Sequence, residues 1–225
     1  MIGLLACLAS LSSAFAADAI PTGKLNVDRS LVRVGSRSQL DWQISYPNTA
    51  VVDVSSSGTI TPKSALKMRV RVLGVAFQSG STLLALQGSW SKNGGTWSTF
   101  FTGTGPTVVP TNVLVDTTVN QGDQVSFRGR GASNATATSW YGYHQTGVTD
   151  PYCVVLKNGD RPPSYAPAYD QGTVKSFMTP YLDSTGKIKI GAQDLMILWE
   201  ASTAAPGTSY FDMQDLVVLV SFEKI

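Results

Sequence analysis

The chain has 225 residues, 17 Lys+Arg against 15 Asp+Glu, and a formal net charge of +2. That balance argues against a dedicated nucleic-acid binder, which carries a strong basic patch. A hydrophobic content of 43% is enough for a packed core, so disorder is not expected. A single histidine, His144, and two glutamates, Glu200 and Glu223, exclude a His-rich metal site. Any Ser-His-Asp or Cys-His scheme has to pass through His144. No P-loop, strand-borne GxGxxG, HExxH, CxxC or G-x-S-x-G pattern is present.

Residues 1–16 form an apolar run without Asp, Glu, Lys or Arg, ending in Ala14-Phe15-Ala16. This small-residue ending after a short apolar stretch is the pattern of a cleaved export signal. The run is shorter than the roughly 20 apolar residues of a membrane-spanning helix. Export to the periplasm, the cell surface or the outside is therefore expected. Leu4-Leu5-Ala6-Cys7 also matches a lipoprotein signal, but six residues are few for the apolar segment ahead of Cys7, so lipidation is the lesser expectation. Cleavage after Ala16 leaves Cys153 as the sole cysteine, which precludes an intramolecular disulfide. An inert thiol is expected there, because free cysteines are usually buried.

The expected elements run as follows. Residues 17–24, with Pro21 and Gly23, form a tether. Strands are expected over residues 25–34 and 39–46, around a turn at Gly35-Ser36. In the second, Leu40, Trp42 and Ile44 alternate with polar residues, the period of a half-buried strand. Leu66, Met68, Val70 and Val72 alternate in the same way with Lys67, Arg69 and Arg71. Residues 81–90 and 96–101 flank Asn93-Gly94, a hairpin signal. Trp90 and Trp97 are expected to pack as a pair across it. Further strands are expected over residues 124–128 and around Cys153, ended by Asn158-Gly159. Residues 215–222 are a continuous apolar run, which predicts a central strand covered on both faces. That strand could alternatively complete the sheet of a neighbouring molecule. Helical turns are expected only within 171–182 and 192–201. Arg161 to Pro167 reads as an extended loop.

These signals predict an all-β chain, an antiparallel β-sandwich of immunoglobulin-like or jelly-roll-like build with little helix. A domain boundary is expected in the Ser55–Lys63 stretch, separating N-terminal strands (25–62) from a main sandwich (63–225).

Leu25-x-Val27, Val32-x-Val34-Gly35 and Leu40-Asp41-Trp42 followed by Tyr46-Pro47 resemble the opening strands of bacterial immunoglobulin-like modules. The resemblance covers residues 25–46 and lacks the paired cysteines of a full immunoglobulin domain. The remainder, including Pro180-Tyr181-Leu182-Asp183 and the Phe211–Leu216 stretch, is similar to uncharacterised secreted proteins of environmental bacteria. The resemblance implies an exported adhesive or structural module and transfers no functional residue.

Three constellations could carry chemistry. Trp140, Tyr141 and Tyr143, with Tyr152 downstream, are candidates for a carbohydrate platform, because sugar C–H faces stack on aromatic rings. Strict strand alternation would put Trp140 on one face and Tyr141 with Tyr143 on the other. Asp183, Asp194, Asp212 and Asp215 are candidate calcium ligands, although the register around Asp183 lacks two oxygen positions of an EF-hand loop. Glu200, beside Trp199, is a candidate acid for glycoside hydrolysis, which needs a second carboxyl at a fixed distance. The basic residues Lys67, Arg69, Arg71, Arg128 and Arg130 could share a sheet face and meet an acidic polysaccharide. The sequence thus predicts an exported, non-catalytic surface, matrix or adhesive protein. A carbohydrate-binding module and a hydrolase centred on Glu200 stand as alternatives. The expected partners are a polysaccharide, another surface protein or a second copy of the chain. No cofactor is expected other than calcium, and no nucleic acid or transmembrane span.

Overall fold

The computed structural model describes residues 22–27, 40–45, 50–163, 178–208 and 210–225. The expected export signal, Cys7 and the turn at Gly35-Ser36 lie outside the described residues. Contacts divide the chain into two units, 1–49 and 50–225. In the first, β1 (Thr22–Val27) pairs antiparallel with β2 (Leu40–Ser45), with Leu25 opposite Trp42. The strand begins at Thr22, so residues 22–24, expected in a tether, belong to it.

The second unit is built from antiparallel strands. One sheet has six strands: β3 (Val52–Val54), β4 (Ile60–Pro62), β8 (Leu86–Lys92), β9 (Ser98–Gly103), β11 (Val125–Gly131) and β12 (His144–Gln145). Its order is β3-β4-β11-β8-β9, with β12 paired to β11. The other has five: β5 (Leu66–Val75), β10 (Val115–Val119), β13 (Cys153–Lys157), β14 (Asp194–Trp199) and β15 (Leu216–Lys224), in the order β10-β5-β15-β14-β13. A small hairpin joins β6 (Gln78–Ser79) to β7 (Thr82–Leu83). The expected boundary near Ser55–Lys63 is thus the β3–β4 hairpin, and the compact unit begins at Ala50.

Alternation explains where the core sits. On β5, Leu66, Met68, Val70 and Val72 are buried and Lys67, Arg69 and Arg71 are partly exposed. On β11, Val125, Phe127, Gly129 and Gly131 are buried and Ser126, Arg128 and Arg130 point the other way. The inward residues of both sheets form one cluster, with Phe127, Leu86, Ile60, Met68, Val70, Ile197, Trp199, Val218 and Phe222 at its centre. A second cluster, Leu73, Met178, Ile188, Met196, Leu198, Phe211, Met213, Val217 and Leu219, covers the opposite face of the five-stranded sheet. Successive residues of β14 and β15 therefore feed two different clusters. That is why 215–222 carries no polar alternation, and β15 is the central strand expected, paired with β5 and β14. Both its edges are occupied within its own chain, so it has no edge to donate to a neighbour.

Two expectations are corrected. Residues 192–201 hold strand β14, not a helical turn. Leu195-Met-Ile-Leu-Trp199 is apolar on every side and gives no helical period, and burial between β13 and β15 selects the extended form. Trp90 packs on the core and pairs with Ser98, whereas Trp97 lies on the other face, so they are not a packing pair. The Lys92–Gly95 hairpin forms as expected, with Asn93 and Gly94 at φ 55° and 68°. Of 171–182 the structure describes a 3-10 turn at Thr179–Tyr181.

Gly131 is a close-approach position. A Cβ there would lie 2.3 Å from the Phe77 ring and 3.0 Å from the Ala201 carbonyl oxygen. Gly131→Ala should cost about 1–3 kcal/mol through overpacking, and Phe127→Ala about 3–5 kcal/mol through the cavity it leaves. Urea unfolding of the purified variants measures both; a Phe127→Ala midpoint equal to wild type would contradict the placement of the core.

Candidate functional sites

Two constellations stand out. The first lies on the outer face of the six-stranded sheet. Arg128 and Arg130 leave β11 on the same side because they are two residues apart. The Arg128 guanidinium lies 4.4 Å from the Trp97 ring centroid and 3.7 Å from that of Tyr143. The Arg130 guanidinium lies 4.3 Å from the Tyr143 ring and 4.8 Å from the Trp140 ring. The result is an alternating stack, Trp97–Arg128–Tyr143–Arg130–Trp140. Gln87 of β8 ties it down: its Oε1 accepts from Tyr143 Oη at 2.6 Å and from Arg130 Nε at 3.1 Å.

The four expected platform aromatics are divided. Trp140 makes an isolated bridge to Ala132, and β12 begins only at His144, so the residues between are irregular. Strict alternation fails there, and Trp140 and Tyr143 share the outer face. Tyr141 turns inward, donates its backbone N–H to Gly131 and meets Phe77 edge-on at 6.4 Å. Tyr152 stacks on His144 at 4.3 Å and meets Phe211 edge-on. Sequence reasoning left Trp97 out of this set, because 43 residues separate it from Trp140 and only the β8–β11 pairing unites them.

His144 is held through Nδ1 by Asp150 at 3.2 Å, and its carbonyl accepts from Trp199 Nε1. Asp150 also accepts from the Gln145 and Tyr152 backbone N–H groups. Burial pushes the nearby Cys153 thiol well above its ordinary range, and the Asp150 charge adds to this. Cys153 thus stays a thiol at neutral pH, the protonation state of an inert cysteine. The five basic residues do not share a face. Lys67, Arg69 and Arg71 stand on β5 in one sheet, Arg128 and Arg130 on β11 in the other.

The second constellation is acidic. Glu200, Asp212 and Asp215 bring one carboxylate oxygen each within 4.8 Å of one another. With Ser202, Phe77, Leu83 and Tyr210 they line a cavity of about 840 Å³. Each carboxyl also fastens the loop between β14 and β15. Glu200 Oε2 accepts from the Asp212 N–H, while its Oε1 accepts from the Ser202 N–H and, in a very short bond, from Ser202 Oγ. Asp215 Oδ2 accepts from the Ala201 N–H at 2.6 Å, and Asp212 Oδ1 from Gln214 at 3.1 Å. Met213, at φ 55°, turns the chain between the two aspartates while its side chain fills the second core cluster. Desolvation, then the charges of Glu200 and Asp212, push the Asp215 carboxyl well above the ordinary carboxylate range, and the bond from Ala201 only partly opposes this.

The four aspartates expected to bind calcium are also divided. Asp183 closes its own turn through Thr185 and Lys187, and those bonds hold its pKa low. Asp194 accepts from the Gly191 N–H. Among the described residues only Asp212 and Asp215 come together, with Glu200 as the third carboxyl. The trio could offer three oxygens to a divalent cation, but most of those oxygens already accept backbone hydrogen bonds.

Asp215 supplies a test. Its folded-state pKa lies above the unfolded value of roughly 3.9. Its contribution to stability is therefore complete below that value and is lost as pH rises through the folded pKa. Asp215→Asn keeps an acceptor for Ala201 and a donor toward Glu200 without ionising. The difference in urea midpoint, wild type minus variant, should fall as pH rises above about 4, and a flat difference would contradict a raised Asp215 pKa.

No family model matches this chain, and neither a curated protein nor a solved structure matches it.

Proposed function

We propose that the chain is an exported, non-catalytic binding protein of β-sandwich build that holds a sugar polymer on the outer face of its six-stranded sheet. The observation that supports this reading is the stack of Trp97, Arg128, Tyr143, Arg130 and Trp140. Five large side chains are ordered side by side on a rigid sheet, at little further entropic cost on binding. The two terminal tryptophans supply ring surface for C–H faces, and the guanidinium edges supply donors for hydroxyls. The shared core of the two sheets and their antiparallel order support the sandwich. The apolar start of the sequence supports export. Among the described residues no helix is long and apolar enough to cross a membrane.

A second reading, hydrolysis at Glu200, is favoured by one observation: a carboxyl with a raised pKa, Asp215, stands beside Glu200 in the cavity. Glycoside cleavage uses two neighbouring carboxyl groups, one of them an acid with a raised pKa. Against it stands the engagement of Glu200 with Ser202 and Asp212, which makes the trio a fastening for the loop.

Affinity electrophoresis against a panel of polysaccharides separates the readings. Trp140→Ala should weaken retention on the preferred polymer about fivefold, as loss of one stacked ring costs about 1 kcal/mol, with the fold intact by circular dichroism. Retention untouched by Trp140→Ala, Trp97→Ala and Tyr143→Ala together would sink the binding face. Turnover of a glycoside that disappears in Glu200→Gln, with the fold intact, would establish the second reading in its place.

A further inference from the structure

Resting on the binding-face reading above, we infer that the polymer held by the arginine–aromatic stack is an acidic polysaccharide, bearing carboxylate or sulfate groups. The argument starts from what the two guanidinium groups touch. Arg128 lies between the Trp97 and Tyr143 rings and Arg130 between the Tyr143 and Trp140 rings. A guanidinium stacked in this way has its π-faces covered. Its N–H donors lie in the guanidinium plane.

Those donors have no acidic partner among the described residues. Among the described residues neither Arg128 nor Arg130 makes an ion pair, and the sole hydrogen bond of Arg130 goes to the neutral Gln87 amide. Arg128 Nε is buried with no hydrogen-bond partner at all. The contrast with the other sheet is internal to the molecule. On β5, Arg69 pairs with Asp116 and Glu223, and Lys67 pairs with Asp116. Lys67 and Arg69 thus have counter-charges, whereas Arg71 on the same strand and both arginines in the stack have no ion pair among the described residues.

A planar fork of donors held by rings matches a planar or trigonal anion, which it grips in a bidentate manner. The two forks rise from one strand at positions i and i+2, whose backbones are roughly 6.6 Å apart. A polymer with an anion on successive units fits that repeat better than a single small anion. A nucleic acid fits less well. Nucleic-acid binders carry a strong basic patch, whereas the net charge here is only +2.

The full chain can be tested by affinity electrophoresis in gels holding polygalacturonate, dextran sulfate or neutral dextran, with a thymidine oligonucleotide as a further probe. The expected result is retardation by at least one acidic polymer, and which of the two is bound identifies carboxylate or sulfate. Retardation should vanish between about 0.05 and 0.5 M NaCl as the charges are screened. Arg130→Gln should weaken it about tenfold, the usual scale for a lost charge-assisted hydrogen bond. Should Arg130→Gln fail to fold, Arg130→Lys carries the test. It keeps the charge, lacks the fork, and should lose affinity at a wild-type melting temperature. Equal retardation by neutral dextran that ignores salt overturns the acidic ligand and leaves the binding face standing. Tighter binding of the oligonucleotide also overturns the acidic ligand. Acidic-polymer binding unchanged in folded Arg128→Gln and Arg130→Gln moves the contact elsewhere and overturns both. No retardation by any probe overturns the binding face itself.

Discussion

The structure depends on a strand pair that is buried on both faces. β14 and β15 alternate their side chains between two apolar clusters, so every residue from Leu195 to Trp199 and from Leu216 to Val220 is out of water. Backbone groups in such a pair have no water to bond and must find partners in neighbouring strands. β5 and β13 supply them on the outer edges. The connection between β14 and β15 is then constrained at both ends. It leaves the sheet at Glu200 and re-enters at Asp215, both nearly fully buried. Carboxyls at those points satisfy the N–H groups of Ala201, Ser202 and Asp212. The close packing of three carboxyls follows from fastening the buried ends of that loop, and burial, with the neighbouring carboxyl charges, raises the Asp215 pKa.

The six-stranded sheet solves a different problem. Its inner face shares the main core, but its outer face carries two arginines on the central strand β11. Aromatic rings contributed by the segments before β9 and before β12 flank them. Cation–π attraction is worth about 0.5–2 kcal/mol for each contact, more where water is excluded. Three such contacts, to Tyr143 and Trp140, tie down the segment between Ala132 and His144, which has little regular structure of its own. The face so formed carries two arginines without an ion pair among the described residues. On the five-stranded sheet, Asp116 and Glu223 neutralise Lys67 and Arg69 of β5.

Much of the strand layout was legible in the residues. Alternation on β5 read directly as a half-buried strand, Asn93-Gly94 as a hairpin, and the apolar run at the end as a central strand. Where the reading failed, local pattern was silent or ambiguous. Leu195-Met-Ile-Leu-Trp199 suits a buried helix as well as a buried strand, and only its neighbours decide. β10 is short and polar on one side, and its pairing with β5 is a tertiary fact. For the sites, Trp140 and Tyr143 were visible as an aromatic cluster, but assuming period two put them on opposite faces. Trp97 was read as the partner of Trp90. Glu200 was singled out for its burial beside Trp199, and Asp212 and Asp215 for calcium; their convergence on one another is a product of the loop.

The sequence by itself determined that the chain is β-rich, with one long apolar strand near its end, few charges and no histidine-rich metal site. These follow from composition and short-range period, which act over a few residues. Only the tertiary structure decided which side chains meet. Arg128 finds Trp97 because β11 pairs with the strand ahead of it, and Glu200 finds Asp215 because β14 and β15 are adjacent and antiparallel. Contacts between residues far apart in sequence are set by strand pairing and shared burial, and no local pattern of residues encodes them.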